Sequence, residues 1–87
     1  MILNGLVIGT WGMQEWYLDD ELHRTDGPAV IFPNGDTWWY QNGKLHRTDG
    51  PAMEYANGEK YWLLNGKTLT EAEFNSPSYR EFREILS

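Results

Sequence analysis

The chain repeats itself every 23 residues. When residues 16–38 are aligned with residues 39–61, the two segments share Trp-Tyr, then Leu-His-Arg-Thr-Asp-Gly-Pro-Ala, then Asn-Gly, which makes twelve identities in 23 positions. A third, partial copy begins at Trp62. A unit of this length cannot bury its apolar surface alone, so neighbouring units must stack. The period therefore predicts about three stacked copies that share one core over residues 1–69.

Each unit is expected to consist of two β-strands with tight turns. The stretches between turns are too short for helices and are rich in aromatic and branched residues, which favour strands. Because strand side chains alternate, Trp16, Trp39 and Trp62 are predicted to share one face. Aromatic side chains are expected to supply most of the core. Asn-Gly pairs are predicted to form type I′ hairpin tips, and they stand at 34–35, 42–43, 57–58 and 65–66.

The apolar period changes after Leu69. The residues Thr70-Glu71-Ala72-Glu73 have the form of a capping box, and Ser76-Pro77 has the form of an N-cap followed by proline. An apolar stripe then follows on one predicted helix face, formed by Tyr79, Phe82, Ile85 and Leu86.

These patterns predict a single mainly β domain over residues 1–87. Its antiparallel sheet would consist of tandem 23-residue β-hairpins over residues 1–69. A helical cap over residues 70–87 would cover the end or one face of that sheet, as the ends of repeat stacks require.

Composition excludes several function classes. Thirteen acidic against seven basic residues give a net charge of −6, which disfavours direct nucleic-acid binding and contact with anionic membranes. The absence of cysteine excludes a disulfide framework and a cysteine-ligated zinc finger. No signal peptide or membrane span is readable. The sequence therefore predicts a cytoplasmic protein, within a host cell if the protein is viral.

The two histidines are the main candidates for chemistry. His23 and His46 stand one period apart, with Asp26 and Asp49 three residues further on, so stacking could bring metal ligands or acid and base groups together. The favoured interpretation is that these residues serve the geometry of each unit, because they recur with it. No reaction centre stands apart from the repetition. We expect no enzyme activity, no catalytic residue, no metal and no cofactor.

Departures from the repeat suggest a binding surface. The first unit has Asp19-Asp20-Glu21 where the second has Asn42-Gly43-Lys44, so it replaces a favourable turn with three carboxylates. Such a tip is either variation on a solvated loop or an acidic edge that faces a basic partner. Two tryptophans that stand off the predicted ladder could add an open aromatic face. The candidate partner-binding residues are Glu15, Asp19, Asp20, Glu21, Asp36, Trp11 and Trp38.

The segment Trp39-Tyr40-Gln41-Asn42-Gly43-Lys44-Leu45-His46, the later Asn57-Gly58 and the 23-residue period resemble MORN repeats. The chain is most similar to the divergent variant with Leu-His-Arg-x-Asp-Gly-Pro-Ala that occurs in small bacteriophage and giant-virus proteins. The resemblance covers roughly residues 5–69. It implies stacked β-hairpins in an antiparallel sheet, and a binding or scaffold role without catalytic residues.

Three hypotheses of function follow. The leading one is a non-enzymatic, viral-type protein that inhibits a host defence protein, such as a CRISPR effector or another nuclease, by occupying its basic nucleic-acid-binding surface. The second is an assembly module whose edge strand, at residues 2–8, pairs with a second copy or another protein. The third is a sponge for a small nucleotide signal, in which Arg24, Arg47 and the aromatic residues form a pocket.

Overall fold

The computed structural model describes residues 2–86, which form an antiparallel β-sheet followed by a small helical segment. This confirms the mainly β architecture with helices near the carboxyl end. The strands are β1 (Gly5–Ile8), β2 (Gln14–Leu18), β3 (Glu21–Leu22), β4 (Val30–Ile31), β5 (Thr37–Trp38), β6 (Tyr40–Gln41), β7 (Lys44–Leu45), β8 (Met53–Glu54), β9 (Lys60–Leu64) and β10 (Lys67–Leu69). The helices are α1 (Glu71–Phe74) and α2 (Pro77–Leu86).

Within residues 2–86, eight strands form the main sheet in the order β1-β2-β4-β5-β8-β9-β10, with β3 paired to β2 beside this path. Strands β6 and β7 form a separate two-stranded sheet. Neighbouring strands in the main path are mostly consecutive in the chain, as short connections require. The order leaves β1 at one edge of the described sheet and β10 at the other.

Two of the four Asn-Gly pairs form the predicted type I′ tip. Both residues have positive φ at Asn42-Gly43 (51° and 78°) and at Asn65-Gly66 (48° and 82°). Each pair closes a hairpin, β6–β7 and β9–β10 respectively. These two tips match the pattern that Asn and Gly favour.

The type I′ prediction is wrong for the pairs at 34–35 and 57–58, where only the glycine has positive φ. In the first of these turns the Gly35 amide donates to the Phe32 carbonyl (3.0 Å), and the Phe32 amide donates to the Asp36 carbonyl (2.9 Å). The same two bonds recur one period later in the second turn. This is a three-residue hairpin loop with a left-handed glycine at its end. One extra loop residue changes the turn type that the same dipeptide adopts.

Between residues 2 and 69, helical geometry is limited to a 3₁₀ turn at Thr10–Gly12, whereas the sequence predicted only strands and tight turns there. Trp11 (φ 64°) and Gly12 (φ 82°) both lie in the left-handed region. The segment is therefore a tight turn between β1 and β2 and does not extend into a helix.

Each histidine connects its own hairpin to the following one. The Asn42 amide donates to Nδ1 of His23 (3.0 Å), and the Asn65 amide donates to Nδ1 of His46 (2.8 Å). The two bonds are 23 residues apart and both join a type I′ tip to the preceding strand pair. They give the histidines a role in positioning the tips.

The tryptophans are packed less deeply than the sequence suggested. Trp16, Trp39 and Trp62 are half-buried, and the guanidinium groups of Arg24 and Arg47 cover the first two rings at 4.0 and 3.9 Å from the ring centres. The expectation that aromatic residues supply most of the core is therefore wrong. The molecule extends only 18 Å along its shortest principal axis, which leaves too little depth to bury large rings on both faces of the sheet. Among the residues that the structure describes, the buried apolar ones are Ala29, Val30, Ala52, Leu63, Leu64, Leu69 and Phe74.

The capping box before α1 is confirmed. The Thr70 hydroxyl accepts a hydrogen bond from the Glu73 amide (3.1 Å), and the Glu73 carboxylate accepts one from the Thr70 amide (2.9 Å). These bonds lower the pKa of Glu73 below its ordinary value. Helix α2 begins at Pro77, after Ser76, as predicted.

Helix α2 covers the sheet with only part of its predicted stripe. Tyr79 and Leu86 pack against the buried cluster of Leu64, Leu69 and Phe74. In contrast, Phe82 is 45% exposed and Ile85 is 79% exposed. The prediction that all four stripe residues cover the sheet is therefore wrong for Ile85, because successive helical residues are rotated by about 100° and Leu86 is the one that packs.

Candidate partner-binding site at the N-terminal edge

Strand β1 exposes apolar side chains at the edge of the sheet. It pairs with β2 on one side, and no strand of the described chain lies beyond it. Leu6 is 51% exposed and Ile8 is 62% exposed. We call β1, the loop at 9–13 and the hairpin tip at 19–21 the N-terminal edge.

The hydrogen bonds of β2 determine which backbone groups of β1 face outward. The Trp16 amide donates to the Ala29 carbonyl (2.8 Å), and its carbonyl accepts from the His23 amide (2.9 Å). Both groups of Trp16 thus point away from β1, which makes Leu6↔Trp16 a non-hydrogen-bonded pair. The backbone groups of Leu6, and of Ile8 two residues later, therefore point away from the sheet.

Trp11 is the most exposed aromatic side chain on this edge. It is 90% exposed and has φ 64°, a region that bulky residues rarely adopt. Neither packing nor backbone preference accounts for tryptophan here. A residue held in an unfavourable conformation with its ring in solvent suggests a role outside the fold.

The Asp19-Asp20 tip adopts the same conformation as the Asn-Gly tips. Its φ angles are 49° and 67°, although aspartate is less suited than glycine to the second position. The Asp19 amide donates to Oδ1 of Asn4 (2.9 Å), and the Asp20 amide donates to the Leu3 carbonyl (3.0 Å). Asn4 thus occupies the position that a histidine has at the other two tips.

The Asp20 carboxylate also has a structural partner. Its Oδ1 accepts a hydrogen bond from the Leu3 amide, so this side chain fastens the segment that precedes β1. Asp19 and Glu21 are exposed. Of the three tip carboxylates, Asp20 is therefore the one that the fold uses most directly.

The other two predicted acids lie outside the tip, Glu15 on β2 opposite Val7 and Asp36 in a different loop. Glu15 accepts a hydrogen bond from the Tyr17 hydroxyl (3.1 Å). Burial is the main cause that raises the pKa of Tyr17, and this hydrogen bond is the second. Asp36 accepts one from the Ala56 amide (2.7 Å) and belongs to the loop between β4 and β5. The structure thus brings Asp19, Asp20 and Glu21 together but places Asp36 near the opposite end of the strands.

Trp38 belongs to a row of aromatic rings on one sheet face. Its ring lies edge-to-face with Phe32 (4.9 Å between centres) and Tyr55 (6.5 Å), and Tyr55 contacts Tyr61 (5.8 Å). Trp38 is half-buried, and its buried indole N–H has no hydrogen-bond partner within residues 2–86. The row explains Trp38 mainly through packing.

The groups considered for metal or nucleotide binding are occupied by internal contacts. In the described chain no three potential ligands among His, Asp and Glu come together to hold a metal ion. Burial lowers the pKa of His46 below its ordinary 6.5. This favours the neutral ring, whose Nδ1 accepts the hydrogen bond from the Asn65 amide. Arg24 pairs with Asp26 (3.0 Å), and Arg47 pairs with Asp49 (2.7 Å).

Sequence reasoning named the edge strand as a means of assembly but did not select Leu6 and Ile8 as binding residues. Their alternation within the first strand was the available signal.

No helix in residues 2–86 is long and apolar enough to cross a membrane. Comparisons with protein-family models, curated proteins and solved structures gave no match.

Proposed function

We propose that this chain is a non-enzymatic protein-binding module that contacts its partner through the N-terminal edge. The observation that carries the proposal is Trp11, a 90% exposed ring on a left-handed backbone. It stands beside a strand whose apolar residues Leu6 and Ile8 are also exposed. Exposed aromatic and aliphatic anchors with a polar rim are typical of protein interfaces.

Charge favours a basic partner. Residues 1–23 contain four carboxylates and no Lys or Arg, and Asp19 and Glu21 are exposed at the tip. Charge complementarity raises the association rate and orients the complex. A basic surface is therefore the chemistry that this edge attracts.

A protein that binds nucleic acid is the partner class we propose, because such a surface is basic and a compact acidic module can occupy it. The resemblance to MORN-like proteins of phages and giant viruses favours a viral origin. On that basis the finer proposal is an inhibitor of a host defence protein, such as a CRISPR effector or another nuclease.

Assembly through β1 is the second candidate function, and the exposed edge strand favours it. Self-pairing would bring together two copies that each carry four carboxylates and no base in residues 1–23. The like charge of the two edges opposes that arrangement. We therefore rank binding to a basic partner above self-assembly.

The test of the proposed function is competition for a purified partner. A protein captured from the natural host is purified, and its affinity for DNA or RNA is measured with and without this chain. We expect the two ligands to exclude each other and the affinity for this chain to fall steeply with salt. Simultaneous binding of nucleic acid and this chain would contradict occupation of the basic surface.

A further inference from the structure

We propose that β1 binds an extended segment of the partner as an added strand, and that this segment alternates apolar and basic side chains. The inference rests on the proposed function and specifies its mode of recognition. Strand addition to an exposed sheet edge is an established way to bind peptides. The backbone of β1 supports the addition of a strand, the two sheet faces support the alternation of side chains, and the charge supports a basic occupant.

The backbone supplies the hydrogen-bonding groups. Leu6 and Ile8 point their amide and carbonyl groups away from β2, because Trp16 uses its own groups on the opposite side of β2. In contrast, the Leu3 carbonyl and amide are bonded to Asp20. The outward groups of β1 therefore offer two positions, at alternate residues, to an incoming strand.

On one sheet face, the β1 side chains next to the added strand are apolar. Leu6 and Ile8 project to the same face because they are two residues apart, and Trp16 shares that face as the cross-strand neighbour of Leu6. Leu6 and Ile8 are more than half exposed. Apolar side chains of a bound segment would cover them and remove that surface from water.

The other face carries a carboxylate next to β1. Val7 projects to it together with Glu15, its partner on β2. Neighbouring strands are about 4.8 Å apart, so a strand added beyond β1 would lie roughly 10 Å from the strand that holds Glu15. A Lys or Arg side chain can span that distance. Alternate residues of the bound segment should therefore be apolar and basic.

The charge of the edge distinguishes this occupant from a second copy. In β1–β1 pairing, each copy would add the four carboxylates of its residues 1–23 to those of the other, with no Lys or Arg in that segment of either copy. A basic segment has the opposite sign. The complementary occupant is thus a cationic strand of another protein.

The test uses a peptide of alternating valine and lysine as a probe, and a block peptide of the same composition as the control. Amide hydrogen exchange is followed residue by residue by NMR on the full chain. In the free protein, the Leu6 and Ile8 amides should exchange faster than that of Val7. The alternating peptide should slow Leu6 and Ile8 at least tenfold, and the block peptide should slow them much less.

Three outcomes would overturn the inference. The first is peptide binding without protection of Leu6 and Ile8. The second is equal protection by both peptides. The third is protection of the same amides by the protein's own dimerisation in the absence of peptide, which would identify a second copy as the occupant.

A proline substitution separates this inference from the proposed function. Ile8→Pro removes an outward donor and leaves the β1–β2 bonds in place, so peptide binding should weaken at least tenfold while the hydrogen exchange of β2 stays unchanged. Val7→Pro is the matched control that disrupts the inward pairing. If Ile8→Pro keeps full affinity for the natural partner while Asp19→Asn/Glu21→Gln loses it, strand addition is wrong and the proposed function stands.

Discussion

At the scale of single residues, the fold places side chains where packing alone would not. Trp11 has positive φ and a ring in solvent, and Asp20 occupies a position that glycine holds in the other two type I′ tips. Left-handed backbone costs an ordinary residue about 1 to 2 kcal/mol. Asp20 offsets its cost with the bond to Leu3. Trp11 has no comparable contact with the described part of the chain and is 90% exposed, so its contribution is expected outside the fold.

Trp11→Gly should therefore leave the free energy of unfolding unchanged or slightly higher. The substitution relieves the strain of the left-handed backbone at residue 11. Glycine loses more conformational freedom on folding, which costs about 0.5 to 1 kcal/mol and offsets that relief. Partner affinity should fall about tenfold or more, because a central aromatic anchor is lost. Urea titration and a binding titration measure the two quantities. A loss of stability above about 1 kcal/mol with intact binding would assign Trp11 to the fold.

His46 predicts a specific pH dependence. Burial lowers its pKa in the folded state below the ordinary 6.5, so below that pH the native protein binds fewer protons than the unfolded chain. The free energy of unfolding should therefore fall as pH decreases from about 6.5 towards the native pKa. His46→Asn keeps an acceptor, as Asn4 does for Asp19, and should flatten this fall. Urea titrations at pH 7 and pH 5 measure the free energy of unfolding of the original protein and of the variant. An equal loss between the two pH values in both proteins would contradict the account.

At the scale of elements, the sequence predicted strands, capping signals and two turns, because these depend on neighbouring residues. The capping box at Thr70 and the tips at 42–43 and 65–66 are local patterns with one geometry. The tips at 34–35 and 57–58 differ because loop length, rather than the Asn-Gly pair, selects the turn. The burial of the tryptophan side chains depends on how many layers cover the sheet. The repeat does not determine that number.

Trp39 shows the energetic consequence. Removal of a fully buried tryptophan side chain costs about 3 to 5 kcal/mol. Because Trp39 is half-buried beneath the Arg47 guanidinium, Trp39→Ala should cost about 2 to 3 kcal/mol. Trp11→Ala is the matched control and should cost less than about 1 kcal/mol. Equal costs in urea titration would mean that the stacked ring adds nothing to the sheet.

Helix α2 can be tested at two positions of its stripe. Tyr79 packs on the buried cluster, whereas Ile85 is 79% exposed. Tyr79→Ala should destabilise the protein by about 2 kcal/mol, and Ile85→Ala should change stability by less than about 0.5 kcal/mol. A larger loss at Ile85 than at Tyr79, measured by thermal or urea unfolding, would show that the helix packs in a different orientation.

At the scale of the whole molecule, the two edges of the described sheet differ, because helices cover one of them and the other is open. The carboxyl-terminal helices pack against β9 and β10, while β1 stays open at the other edge. The sequence predicted the helical cap and the acidic tip at 19–21, because local composition and periodicity record both. It predicted one edge of five acids, but Asp36 lies apart, because only strand order decides which loops become neighbours.

The most direct test of the N-terminal edge compares two pairs of charge-removing substitutions. Asp19→Asn/Glu21→Gln and Glu59→Gln/Glu81→Gln each change the net charge from −6 to −4, and all four side chains are exposed. Exposed charge pairs contribute a few tenths to about 1 kcal/mol each. In titrations of the purified partner at low and moderate salt, we predict roughly tenfold weaker binding for the first pair and little change for the second. Equal losses in both pairs, or unchanged affinity in the first, would contradict binding through the N-terminal edge.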